Sequence, residues 1–194
     1  MKKSTSIKLL LFFTTILTIF YILTRVNILD YEKPIPYSRI ENITFENFRG
    51  LEFFRKSLYG NEQFAYVKTS IEYEFCNDSI KIESFFHPSS SYVYNKKVFS
   101  KDLLKHEMYH FKITELYTRI SKHKISLLKN SSKKNIVDIL DESNIEENNL
   151  QIKYDDDTFH SYVLGEQKKY EKKIDSLLYL YSKYSKPKIP INEN

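Results

Sequence analysis

The chain has 194 residues, of which 41% are hydrophobic and 15% aromatic; this is enough apolar surface for one folded domain and excludes a wholly disordered protein. The single cysteine, Cys76, excludes a disulfide scaffold. The net charge is +5, but four of the 30 Lys and Arg residues lie in the first 25 positions, which leaves 26 basic against 25 acidic residues. The nearly neutral body of the chain gives no support for nucleic-acid binding.

An uncharged apolar stretch, residues 9–24, follows three lysines and precedes Arg25. This order is typical of an export signal, although the stretch is slightly short of the roughly 17–25 residues that span a membrane. No small-residue cleavage site follows, so we favour a retained membrane anchor over a cleaved signal peptide for residues 1–29. The positive flank then places the remaining chain outside the cytoplasm, facing the periplasm, or secreted if the segment is cleaved.

The next part of the chain predicts a linker and then a hairpin. Residues 30–42 are polar and contain prolines, which is typical of a linker, and 43–50 form an apolar-aromatic segment at the edge of a folded domain. Apolar side chains alternate over 66–75 and predict a half-buried strand. Asn77-Asp78 favours a turn, and the alternation resumes over 80–84 as a hairpin partner.

The sequence HEMYH lies in a helix that we predict over 101–124, with Ser100 as its N-cap. Two histidines four residues apart lie one turn apart on the same face of a helix, so His106 and His110 can bind one metal ion. Glu107 projects beside that face, where a carboxylate can take a proton from water. The pattern predicts a zinc site; the alternative is a pair of buried histidines held by hydrogen bonds.

The C-terminal part predicts helices. Residues 129–149 are rich in Lys, Asn, Ser and Glu and predict one short helix with mobile flanks. Apolar residues at helical spacing predict an amphipathic helix over 162–184, and residues 186–194 predict an unstructured tail. A small antiparallel sheet followed by helices makes the fold class α+β, in one domain over 43–185.

A catalytic zinc needs a third protein ligand. Glu115 points about 140° away from His110 around the helix, and His123 lies about 20 Å along it, so neither reaches the metal. The remaining candidates are His87, His160 and the run Asp155, Asp156 and Asp157. Spacing alone does not choose among them, and for Asp156 and Asp157 a solvated helix end is the favoured interpretation.

Three segments together resemble a known family. Residues 103–119, LLKHEMYHFKITELYTR, are similar throughout to a helix that reads LLxHEQxHFDIxExYAR. Residues 44–50, TFENFRG, look like its motif WxDFxG, and residues 151–170 look like QxxYDxxTxHG followed by a glutamine and an aromatic residue. The family is a group of exported bacterial proteins, common in Bacteroidetes, that are classed as zinc-dependent proteases of the zincin clan.

The resemblance implies a zincin-like fold in which His106, His110 and His160 bind zinc and Glu107 is the general base. The expected function is hydrolysis of peptide bonds in a peptide or protein substrate outside the cytoplasm. Tyr154 is a candidate donor to the transition state, although packing is its favoured role. The alternative is a non-catalytic exported binding or envelope-assembly module that keeps the fold.

The chain departs from the family pattern at Phe45, which replaces the tryptophan, and at three positions close to the histidines, with Met108 for glutamine, Lys112 for aspartate and Ser161 for glycine. A lysine at 112 removes an acceptor that could orient a ligand histidine, which predicts a weaker metal site.

Overall fold

The computed structural model describes residues 2–26, 32–50, 65–93, 100–129 and 131–191. Its helices are α1 (Lys2–Val26), α2 (Lys101–Ser126), α3 (Lys133–Thr158) and α4 (Leu164–Leu180). Its strands are β1 (Ile35–Pro36), β2 (Ala65–Tyr66), β3 (Thr69–Cys76), β4 (Ser79–Phe86), β5 (Tyr92–Val93) and β6 (Lys188–Pro190). A small antiparallel sheet and several helices confirm the α+β class.

The sheet is built around β4. Strand β3 pairs along its whole length, from Cys76 opposite Ser79 to Thr69 opposite Phe86, and the predicted turn lies between them. Strands β1 and β6 pair with opposite ends of β4 along its other edge, and β2 pairs separately with β5.

Burial is concentrated on β4, where alternate side chains are buried: Ile80, Ile82, Ser84 and Phe86. In β3 no residue is buried, and Tyr73 is 45% exposed. The half-buried strand predicted over 66–75 is confirmed in part, because Ile71 and Phe75 are partly buried against the core of the sheet whereas Tyr73 is not. The difference arises because β3 is the outer strand, whereas β4 lies between two sets of pairing partners and under α2.

Helix α2 is central to the fold. Its N-terminus is capped as predicted, because the backbone N–H of Leu103 donates to Ser100 Oγ over 2.9 Å. One side of α2 packs on the sheet through Phe111, which lies in a core cluster with Phe86. Another side packs on α3 and α4, where Ile113 is fully buried. Helix α3 runs antiparallel to α2, and α4 runs parallel to it.

Three segments differ from the predictions. Helix α3 has 26 residues instead of forming one short helix within 129–149. The predicted linker over 30–42 contributes β1 and a 3₁₀ helix, Tyr37–Asn42. The predicted tail contributes β6, because Ile189 and Ile191 bury their side chains against the core of the sheet. Short strands such as β1 and β6 are stable only when they pack against neighbouring elements, so their sequences alone do not predict them.

Helix α1 covers the apolar N-terminal stretch, and its described side chains, residues 7–21, are exposed. Among the described residues, no helix meets the length and apolarity needed to cross a membrane. The end of the predicted anchor (27–29), the first two linker residues (30–31) and the last three tail residues (192–194) lie outside the described residues.

Candidate metal centre

A cleft of about 230 Å³ lies between α2, α3 and the start of the sheet. Residues 65–69 form one wall of this cleft. The opposite wall carries Glu107 and His110 from α2, Asp155 from α3, and His160 from the turn that follows α3. The cleft therefore places the HExxH helix against the third sequence motif.

Four side chains converge at this cleft. Asp155 Oδ1 lies 3.1 Å from His106 Nε2, 2.9 Å from His110 Nε2 and 3.3 Å from His160 Nδ1. The two Nε2 atoms of the HExxH histidines are 3.2 Å apart. Among the described residues, His106, Asp155 and His160 each offer one ligand atom, and these three atoms all lie within 4.8 Å of one another. His110 contacts Asp155 and His106 but does not belong to this group.

The position of His160 depends on an unusual turn at the end of α3. Phe159, His160 and Ser161 have φ values of 47°, 49° and 76°, which is the left-handed region that non-glycine residues rarely adopt. The backbone N–H of His160 donates to the carbonyl of Asp155 over 3.2 Å, a bond that ends the helix as in a Schellman motif. This turn brings the imidazole back beside the carboxylate five residues earlier.

The donor types of this cluster and its closest separations suit a divalent metal ion such as tetrahedral zinc. Ligand atoms bonded at about 2.0–2.1 Å around such an ion lie about 3.3–3.4 Å apart. The nearest separations in the cluster are 2.9–3.3 Å, and its imidazole and carboxylate donors are ligand types that zinc accepts. The set includes Asp155 alongside the three predicted histidines.

The protonation of His110 gives a second test of the fit. The side-chain N–H₂ of Gln151 donates to Glu147 Oε1 and to the carbonyl of His110, so its oxygen accepts from His110 Nδ1. A neutral His110 then directs the lone pair of Nε2 at the Asp155 carboxylate, which is repulsive unless a cation lies between them. Burial opposes protonation, but Asp155 outweighs it and raises the pKa of His110 to about 9. A metal ion can take the place of that proton.

His106 is the most deeply buried member, and its side chain is 1% exposed. Burial lowers its pKa to about 4, which keeps the imidazole in the neutral form that binds metal. Its Nδ1 atom has no hydrogen-bond partner among the described residues, and one face of its ring stacks on Tyr154 at 4.6 Å. The Nε2 atom, 3.1 Å from Asp155 Oδ1, is the ring nitrogen that faces the cluster.

Glu107 is buried at the cleft and accepts a hydrogen bond from the backbone N–H of Val67. Burial raises its pKa to about 7, mainly because the carboxylate loses its water. A carboxylate of this basicity in a cleft is suited to general acid–base catalysis near neutral pH.

Tyr154 is fully buried behind the histidines and does not line the cleft. Its ring contacts His106, His110 and Tyr170, and its hydroxyl has no partner among the described residues. This placement favours the packing role over transition-state donation.

The other sequence candidates lie elsewhere. His87 Nε2 bonds to Ser70 Oγ at 2.7 Å, and His123 packs between Tyr181 and Tyr184. Glu115, which the spacing excludes as a ligand, accepts hydrogen bonds from Ser84 and Arg119.

Two of the three departures from the family pattern close to the histidines point away from the cluster. Lys112 Nζ lies 2.9 Å from Asp175 Oδ1 of α4 and 4.3 Å from the centre of the Tyr109 ring. Met108 packs against the core cluster of the sheet. The third, Ser161, occupies the last left-handed position of the turn, a conformation for which glycine is the natural residue.

Sequence reasoning kept Asp155 only as one of several candidates and assigned no role to Gln151 beyond the motif. The signal that could have found them is their spacing of four residues, the same spacing as in HExxH. A short helix predicted within 129–149 conceals that spacing, whereas α3 continues to Thr158 and both side chains contact α2. Comparisons with protein-family models, curated proteins and solved structures give no match to this chain.

Proposed function

We propose that this chain is a zinc-dependent hydrolase of peptide bonds, of the zincin type, that acts outside the cytoplasm. The observation that carries the proposal is the convergence of His106, His110, Asp155 and His160 beside a buried Glu107 in one cleft. A pair of buried histidines held by hydrogen bonds needs neither a third histidine nor an open cleft beside Glu107.

Bound zinc supplies Lewis-acid polarisation of the substrate carbonyl and lowers the pKa of water towards about 7. Glu107 takes a proton from water in the cleft and passes it to the leaving amine. Its burial supports this role, because a carboxyl group with a pKa near 7 both accepts and returns a proton easily.

The surrounding residues keep the site in one arrangement. Gln151 holds the proton of His110 on Nδ1, which leaves Nε2 free for the metal. Thr114 bonds both to Glu147 and to Thr69 at 2.7 Å, which ties α2 and α3 to the strand wall of the cleft. A substrate that lies along residues 65–69 therefore contacts the same network that orients His110.

The proposal is tested first by the zinc content of the purified full chain, loaded with zinc and then dialysed. We expect about one zinc per chain in the wild type and a sharply lower content in His160→Ala and Asp155→Asn. His123→Ala is the matched control, because this histidine lies on the same helix outside the cluster, and it should retain full zinc. Wild-type protein that retains no zinc would rule out the metal site.

Activity is tested separately on casein and on a mixed peptide library. Glu107→Gln should keep its zinc while losing about 10²–10⁴-fold in turnover, because only the general base is removed. A chain that binds zinc but hydrolyses nothing in either substrate pool would favour the non-catalytic binding module.

A further inference from the structure

A second cavity, of about 380 Å³, lies on the other side of α2 from the metal centre. We call it the α2–β4 cavity. Its lining comes from α2, from β4, from the 3₁₀ helix after β1, and from the segment that leads into β6. Its volume falls within the range of roughly 300–1,000 Å³ found for small-molecule sites.

Three charged side chains from α2 line the α2–β4 cavity: Glu115, Arg119 and Lys122. Their spacing of four and then three residues places them on one face of the helix. Glu115 and Lys122 are 4% and 1% exposed, and the Arg119 side chain is 12% exposed. Within this buried trio the cations outnumber the carboxylate by one, whereas the other two carboxylates of the lining, Glu41 and Glu83, are exposed and half-buried.

The single buried carboxylate of this face is already engaged at both oxygens. Arg119 Nε donates to Glu115 Oε1 and Ser84 Oγ donates to Glu115 Oε2, both over 2.7 Å. Lys122 makes no hydrogen bond to Glu115 among the described residues and instead donates to two carbonyl oxygens, those of Ile82 and Lys186.

Both cations retain unused donors. Lys122 has three N–H groups and uses two of them, and Arg119 uses Nε and Nη1 but has no partner at Nη2 among the described residues. Burial without a full set of partners lowers the pKa of Lys122 to about 8. Two donors on neighbouring cations match the two oxygens of one carboxylate.

The rest of the lining is suited to an apolar group. Tyr37, Ile40, Ile82 and Pro187 contribute aromatic and aliphatic surface to the α2–β4 cavity. The cavity also lies where the edge of β4 is not covered by a strand, between the stretch paired with β1 and the stretch paired with β6. A ligand at this gap therefore has apolar walls on one side and charged donors on the other.

We propose that the α2–β4 cavity is a binding site for a small monocarboxylate that carries an apolar group, with Lys122 and Arg119 as the residues that bind the carboxylate. The other carboxylates of the lining disfavour a dianion such as phosphate, because they repel negative charge. Glu41 and Glu83 also line the cavity, and together with Glu115 they repel a second negative charge. Glu83 is partly neutralised by its ion pair with Lys81.

The test is isothermal titration calorimetry of the full chain in detergent, treated with EDTA so that no carboxylate binds at the metal centre. The probes are benzoate, its neutral analogue benzamide, and inorganic phosphate, at constant ionic strength. We expect saturable binding of benzoate that is weakened at least 10-fold in Lys122→Met and Arg119→Met. Benzamide and phosphate should show no saturable binding.

Lys124→Met is the matched control, because Lys124 lies on the same helix and pairs with Glu142 and Glu146 outside the cavity. It should bind benzoate like the wild type. The proposal is overturned if benzoate does not bind, if Lys122→Met binds it equally well, or if benzamide or phosphate binds as tightly.

A crystal soaked with 4-bromobenzoate decides the matter if the Lys122 variant does not fold. An anomalous bromine peak inside the α2–β4 cavity of the wild type would support the site. Saturating bromobenzoate with no peak there would overturn it. Neither result depends on whether the chain hydrolyses peptides, because this cavity and the metal centre share no residue.

Discussion

Replacement of Ser161 by glycine should stabilise the protein. Ser161 has a φ of 76°, a conformation that costs an L-residue about 1–2 kcal/mol and costs glycine nothing. Glycine loses about 0.5–1 kcal/mol more backbone entropy on folding, so the expected net gain is about 0.5–1 kcal/mol. Ser161 makes no hydrogen bond with the other described residues, so the substitution removes no polar contact to offset this gain.

The assay is urea unfolding of the full chain after EDTA treatment, followed by circular dichroism, because bound zinc would add its own stabilisation. Two variants separate backbone strain from other effects. Ser161→Ala removes the same hydroxyl but keeps the backbone strain. Its free energy of unfolding should therefore be lower than that of Ser161→Gly. Ser176→Gly, on the exposed face of α4, should destabilise by up to about 1 kcal/mol, as glycine does in a helix.

A free energy of unfolding for Ser161→Gly that is no higher than that for Ser161→Ala would refute the reasoning, because relief of strain would then not outweigh the larger entropy loss of glycine. Such a result would mean that the turn after α3 is not left-handed in solution. The placement of His160 beside Asp155 would then need another explanation, and substitutions in the turn would be expected to leave the zinc content of the protein unchanged.

Four further predictions concern single side chains. Gln151→Leu should weaken zinc binding about 10–100-fold, because the Nδ1 proton of His110 loses its acceptor; competition with a chelator measures the affinity, and an unchanged affinity would contradict this role. Tyr154→Phe removes a buried hydroxyl that has no partner among the described residues, so it should raise the free energy of unfolding by about 1 kcal/mol and leave turnover unchanged. A loss of turnover of about 10²-fold would instead identify the hydroxyl as a transition-state donor. Burial lowers the pKa of Lys122 to about 8, so between pH 8 and 10 the unfolded chain binds more protons than the folded chain. The free energy of unfolding therefore rises with pH over this range. Urea unfolding should show a rise about 2–3 kcal/mol larger in the wild type than in Lys122→Met. Ile189→Ala should cost about 2–4 kcal/mol by the same assay, and a cost below 0.5 kcal/mol would show that β6 does not dock.

Local chemistry was enough to predict α2 and the hairpin. The alternation and turn that predict β3 and β4, and the Ser100 cap that begins α2, are properties of neighbouring residues and hold in almost any surroundings. The spacing of His106 and His110 is equally local, because the geometry of one helical turn determines it.

Tertiary packing decided the extent of α3, because its last two turns are too polar to predict a helix by themselves. They are helical where Gln151 and Asp155 bond to the histidines of α2 and where Tyr154 is buried against them. The same packing brings Asp155 beside the two histidines of α2, since this residue lies 45 positions further along the chain than His110.

The sequence by itself determined that this chain carries a helix with two histidines and a glutamate on neighbouring positions, and that a histidine follows in a junction between two helices. Only the tertiary structure decided that Asp155 joins them and that a left-handed turn directs His160 back to the cluster. Ligand distances depend on how helices pack and on strained backbone angles, and these are stable only when distant parts of the chain hold them in place.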